Sequence, residues 1–255
     1  MQTNRKLNIA LLWLVFVLPV FFGNASLRAE EQSLEAVKDS AVNWVNQVRT
    51  EQGIQTLAID SKLNEIAETH SKKMAANDLL SENDPVSGTP FERIRSSGLT
   101  DVNNLVVVAK APDWDQLRDQ LESQENLEKI ISPEMTRMGV GIVSGPNGNL
   151  WLTIHMIERA ITFTQFTLSQ SNTVPARHSI TIRGNTLYKK IRVLMVPPEG
   201  IEQKLALEHV VIPDANGDFE ITLSFGISTG NFSLNFSVLQ ANKYKLMNSF
   251  SMDVR

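Results

Sequence analysis

The chain of 255 residues contains no cysteine. That excludes disulfides, thiolate metal sites and a lipid anchor carried by a cysteine at a signal junction. Aromatic residues make up only 7%, and Trp13, Trp44, Trp114 and Trp151 are too dispersed to form a clustered carbohydrate platform. Positive charge is in deficit, with 24 Lys+Arg against 28 Asp+Glu. A chain of that balance lacks the electrostatic footprint of a nucleic-acid binder and does not adhere to anionic lipid by charge alone. There is no G-x-S-x-G elbow and no glycine-rich phosphate cradle. The segment from Asp214 to Asp218 resembles a calcium loop only superficially. Its glycine comes too early and Phe225 stands where the loop needs a glutamate, so a hairpin turn is expected.

What is present begins with a separable N-terminus. Arg5 and Lys6 precede an apolar run from Ile9 to Phe22, followed by the small-residue sites Gly23-Asn24-Ala25 and Leu27-Arg28-Ala29. This is secretory signal-peptide grammar, and the run is short of the roughly 20 residues that span a bilayer. Cleavage after residue 29 leaves 21 Lys+Arg against 28 Asp+Glu, a net charge of −7. No later apolar run approaches spanning length, so no transmembrane segment is expected in the mature chain, which is assigned to the periplasm or the exterior. Residues 1–29 are read as signal peptide, 30–159 as a first domain and 160–255 as a second.

Leu34, Val37, Ala41, Val45 and Val48 recur at helical spacing over 34–52, and Gly53 stops the helix. Asp60 sits at the N-cap of a second helix whose apolar stripe is Leu63, Ile66, Ala67, His70 and Met74. Thr89, Pro90 and Glu92 form a capping box with proline at the first turn. Leu105–Ala109 reads as a buried strand, and Asp113 with Gln116 opens one helix bearing Leu117, Leu121, Leu127 and Ile130. Met138–Val143 and Leu150–Ile157 flank a Gly-Pro-Asn-Gly turn as a hairpin. This order predicts an α-β-α sandwich. From Ile161 onward seven short alternating runs separated by Pro, Gly and Asn predict an all-β sandwich of immunoglobulin-like type. The fold class is therefore α+β.

The stretch Asn46–Met74 carries Asn46, Arg49, Gly53, Leu57, Leu63, Ala67, Ser71 and Met74. With Pro90-Phe91, Arg93-Ile94, Gly98 and Gly139-Val140-Gly141, it resembles the opening, middle and close of the CAP superfamily (SCP) domain over residues 35–158. The absence of cysteine is similar to the bacterial branch of that family. The resemblance implies a cleft in which two histidines and carboxylates hold zinc or act as acid and base. At the corresponding positions this chain has Glu82 for one histidine, Asn103 beside Asn104 for the Glu-Asn pair, and Asn126 for the other histidine. Amides coordinate such metals poorly, so no metal, no cofactor and no catalytic residue is assigned. Glu82, Asn103, Asn104, Asn126, His155 and His70 remain as candidates for lining a ligand cleft. His70 and His155 are favoured as packing residues, and His178 and His209 as surface residues.

These readings point to an exported, non-catalytic binding or interaction protein whose partner is a protein, peptide, glycan or lipid. A hydrolase with a rearranged site around Glu82 and His155 is the alternative. A structural or adhesive subunit acting through the β-sandwich is a third.

Overall fold

A computed structural model describes residues 18–166, 173–198 and 207–255. Helix α1 (Leu18–Glu51) leads to β1 (Ala58–Ile59), α2 (Ser61–Asn77), α3 (Pro90–Ser96), β2 (Asn104–Ala111), α4 (Trp114–Leu121), α5 (Gln124–Ile130), β3 (Arg137–Ser144) and β4 (Leu150–Ile157). The first helix begins at Leu18 rather than at residue 34, so it runs through the small-residue segment 23–29. The basic start and most of the apolar run of the signal-type segment lie in residues 1–17, outside the described residues.

The four strands form one sheet in the order β1-β3-β4-β2, with β1 parallel to β3 and the other pairs antiparallel. Alternation puts Val107, Ala109, Val140, Ile142, Leu152 and Ile154 on one face, in a core shared with Ala41 and Val45 of α1, Leu117 and Leu121 of α4, and Ile130 of α5. The opposite face receives α2 and α3, with Leu63, Ile66 and Ile94 buried against Ile157. The helix-sheet-helix layering expected from the sequence is thus present.

Two residues of α1 hold this arrangement by polar contacts. The Asn46 amide donates to Leu57 O at 3.1 Å and accepts from Leu57 N at 2.8 Å, fixing the strand that follows the helix. Arg49 is fully buried and donates to the carbonyls of Gln55, Ile130, Ser132 and Met135 at 2.6–3.1 Å. Burial lowers its pKa, and the peptide dipoles of the α5–β3 connection surround its charge.

The single helix expected from Asp113 is two helices. Asp113 caps α4 as predicted, accepting from Gln116 N at 2.9 Å. The chain then breaks at Glu122–Ser123, where Asn126 Nδ2 donates to Gln120 O at 2.9 Å. The Gln120 amide in turn accepts from Lys110 N at 3.1 Å and donates to Lys110 O at 2.7 Å. It occupies the outer edge of β2 as a neighbouring strand would, which blunts that edge. Strand β1 was not anticipated, because two residues carry no periodic signal.

From Ile161 the chain is β5 (Ile161–Phe166), β6 (Thr173–Val174), β7 (Ser179–Thr186), β8 (Ile191–Val196), β9 (Leu207–Val211), β10 (Asp218–Ser224), β11 (Gly230–Gln240) and β12 (Lys243–Val254). Sheet β10-β7-β5 packs on sheet β6-β12-β11-β8-β9 around one core. Phe163, Phe219, Phe236 and Phe250 meet there with rings at large angles. Asp214–Asp218 is a tight turn, with Asp214 Oδ1 accepting from Asn216 N and Asp218 N, but it carries the chain from β9 in one sheet to β10 in the other, so the hairpin expected there is not formed.

Candidate functional site

Helix α2 lies unusually close to the sheet because Gly139 and Gly141 stand beneath it. A Cβ at Gly139 would overlap backbone atoms of Leu63 and Asn64, and one at Gly141 would overlap those of Ala67 and Glu68. Their partners across the ladder are His155 and Thr153, which share that face. Asn64 Oδ1 accepts from Val140 N at 2.8 Å. Ser71 Oγ donates to Gly141 O at 3.0 Å and lies 2.8 Å from Thr153 Oγ1. This contact brings His70 of α2 and His155 of β4 into one buried neighbourhood.

Arg93 of α3 organises that neighbourhood. It is 5% exposed. Its Nη1 donates to Gly88 O at 2.9 Å and its Nη2 to Glu82 O at 2.8 Å, so the loop 81–88 wraps around the guanidinium. His155 Nε2 stands 3.5 Å from Nη2. Burial, and then the Arg93 charge, push the pKa of His155 down to about 3, so the imidazole is neutral. His70 Nε2 faces Ser81 O at 2.8 Å; a carbonyl only accepts, so this nitrogen carries the proton. Its pKa is lowered by burial and by Arg93. Burial also draws Arg93 down to about 10, against the pull of Asp84 and Glu82. Asp84 is itself buried, and burial works to raise its pKa. The N–H groups of Ser87 and Val86, together with Lys73 at 3.7 Å, outweigh that and hold it at about 2.

A groove of about 270 Å³ opens over Arg93 between α2 and α3, bordered by Lys62, Glu65, Thr69, Lys73, Ser96 and Ser97, with Lys62 paired to Glu65 at 2.7 Å. Arg93 Nε and the Nδ1 atoms of both histidines are buried and have no hydrogen-bond partner among the described residues. The arrangement offers a ligand the hydroxyls of Thr69, Ser96 and Ser97 beside ion-paired lysines and the Glu65 carboxylate. Among the described residues, His70 bonds a backbone carbonyl and His155 lies against Arg93, and neither is hydrogen-bonded to a carboxylate or a hydroxyl nucleophile.

The six candidate residues separate into two groups. His70, His155 and the main chain of Glu82 gather around Arg93. The Glu82 carboxylate turns to Lys129 of α5, which also reaches Glu125 at 3.0 Å. Asn126 closes the step between α4 and α5. Asn103 donates to Leu246 O of β12 at 3.1 Å, and Asn104 to Val102 O at 3.2 Å. The three asparagines therefore do not converge with His155. Among the described residues no three His, Cys, Asp or Glu side chains lie together as a metal would need, so the zinc set implied by the resemblance does not fit this chain. Arg93 was missed as a site residue. Its signal was its place next to Ile94, on the inward half of a short helix, where a charge is out of pattern.

The cysteine-rich secretory protein (CAP) family matches residues 42–156. The protein YkwD of Bacillus subtilis is 28% identical over 122 residues, covering 47% of this chain and 46% of that protein; the chain thus spans about half the length of this relative. An extracellular protein containing a SCP domain from Bacillus anthracis is 21% identical, covering 51% of this chain and 41% of that one, with a TM-score of 0.43. An outer surface protein from Borrelia burgdorferi is 15% identical, covering 49% and 93%, with a TM-score of 0.46. The segment that holds α2, α3 and the sheet beneath them is thus similar to the CAP superfamily over residues 42–156.

Proposed function

We propose that this is an exported, non-catalytic binding protein, built of a CAP domain over residues 30–159 and an immunoglobulin-like module over 160–255. The observation that carries this reading is the fate of the cleft residues. Glu82 is committed to Lys129, and His155 is fully buried beside Arg93, while the groove above Arg93 stays open and polar. The groove is the part of the CAP domain best suited to hold a ligand. The strand order supports the immunoglobulin-like reading: β5, β7 and β10 face β9, β8, β11 and β12, and β6 runs parallel to β12. The signal-type N-terminus supports export.

The rearranged hydrolase is the weaker reading, since Glu82 and His155 are held apart by Arg93 and turned to different partners. Calorimetric titration of the purified chain with zinc tests the proposal: no stoichiometric binding is expected. Stoichiometric zinc uptake, or ester or peptide turnover abolished by Glu82→Gln, would overturn it. N-terminal sequencing of the secreted or periplasmic protein is expected to begin after Ala25 or Ala29.

A further inference from the structure

A second concave region lies where the CAP domain meets the sandwich. The loop after α3 docks on the outer edge of β12: Val102 N donates to Met247 O at 2.9 Å, and Ser249 N to Thr100 O at 3.2 Å. Beside these bonds opens a cleft of about 490 Å³ between Leu99–Asp101, Arg159, β5 and β12. A recess of about 330 Å³, reaching Arg95 and Ser251, shares Gly98, Leu99, Thr100, Phe166 and Phe250 with it.

Four features of the cleft narrow what it can hold. At its floor Arg159 is divided between Asp60 at 2.6 Å and Asp101 at 3.1 Å, one guanidinium to two carboxylates, so no spare cation is offered there to an anionic ligand. The side chains of Thr100, Thr162, Thr164 and Ser251 interrupt the apolar wall that an acyl chain would need. Strand β5 is bulged at Thr164, between the pairs Phe163 to Gly184 and Gln165 to Arg183, which breaks the even edge that an added peptide strand would use. The same bulge lets Phe163 and Phe166 both face Phe250, with ring centroids at 5.1 and 4.3 Å, and leaves Phe166 half-buried at the cleft wall.

The floor also holds an acceptor without a donor. Asn248 is 1% exposed; its Nδ2 donates to Thr100 Oγ1 at 3.1 Å, while its Oδ1 has no partner among the described residues. Hydroxyls that both donate and accept, a bare amide oxygen, a floor whose carboxylates outnumber its guanidinium and so repel anions, and one aromatic wall together match a neutral polyhydroxylated ring. We propose that this junction cleft is a binding site for a neutral saccharide, with a sugar C–H face on Phe166 and sugar hydroxyls on Thr162, Thr164 and Asn248. The site is independent of the groove over Arg93.

Saturation-transfer NMR on the full chain tests this, using four β1,4-linked tetrasaccharides of glucose, mannose, galactose and N-acetylglucosamine as probes. Saturation of ring protons is expected for at least one of them, with a Kd of about 1 mM or tighter. Thr164→Arg, an exposed substitution, and Phe166→Ala are expected to weaken it at least about ten-fold, a loss near 1.4 kcal/mol. Lys62→Ala, in the other groove, is expected to leave it unchanged. Thermal midpoints equal to the parent's identify variants that remain folded, and Thr164→Arg serves if Phe166→Ala does not. Absence of transfer to all four sugars overturns the proposal. So does binding that survives Thr164→Arg, binding lost in Lys62→Ala, or displacement of the sugar by the peptide Ala-Ser-Gly-Ala at equal concentration.

Discussion

Arg49 shows how a residue read as a family signature acts physically. Four backbone carbonyls converge on one guanidinium, whose five N–H groups point in fixed directions. A lysine ammonium is a single point with three donors and does not reproduce that fork. Arg49→Lys is therefore expected to cost about 3 kcal/mol, since buried carbonyls left without donors cost roughly 1–3 kcal/mol each. A lowered midpoint in urea unfolding checks it. His155 sets a pH dependence. Its pKa is 6.5 when free and about 3 in the fold, so the unfolded chain binds the extra proton between those values. Its contribution is complete above 6.5 and is lost as pH falls towards 3, by about 1.4 kcal/mol per unit. His70 acts in the same sense. Asp101 and Glu158, whose pKa values burial raises, act in the opposite sense, because their cost disappears on protonation. His155→Leu is thus expected to flatten the acid limb of stability relative to the parent, measured by chemical denaturation from pH 7 to pH 4.

At the scale of the element, the local signals were legible and the distant ones were not. Thr89 and Glu92 exchange both bonds of their capping box, and Asp60 caps α2 through Lys62 N and Leu63 N. Such caps are decided within four residues, so spacing alone reveals them. The α4–α5 break depended on Asn126 reaching Gln120, which no periodicity announces. The candidate site was half legible for the same reason. His70 lay on a readable helix stripe and His155 on a readable strand face. The Leu246 and Met247 partners of Asn103 lie more than 140 residues away, in β12. The close seat of α2 rests on the two glycines of β3. Gly141→Ala is expected to destabilise by about 3 kcal/mol or more, because the obstacle is helix backbone rather than a movable side chain. Gly148→Ala provides the comparison. It has open space but a φ of +73°, so its loss is expected to stay near 1 kcal/mol. Thermal melting of the two variants separates the effects.

For the whole molecule, the junction is the region that sequence reading did not foresee. Asn103, aligned with a cleft residue, instead faces the sandwich, because the loop 100–103 serves as an extra partner for β12. Lys245 of β12 bridges Glu134 at 2.5 Å and the buried Glu158 at 2.7 Å. Removing the cation strands a buried carboxylate, so Lys245→Ala is expected to cost about 2–3 kcal/mol. Adding Glu158→Gln should recover most of that loss, which a double-mutant cycle of unfolding free energies measures.

The edge that receives the loop 100–103 belongs to β12, and Thr100 meets Asn248 across 148 positions of sequence. A chain made from its N-terminus therefore completes β1 to β4 and the helices on them before the segment that docks there exists. Closure of the junction becomes a late event of high contact order, and its rate is set by bringing distant segments together rather than by helix formation. Until β12 arrives, the loop between α3 and β2 waits with its backbone in water. The junction cleft can take its final form only after β12 has been added.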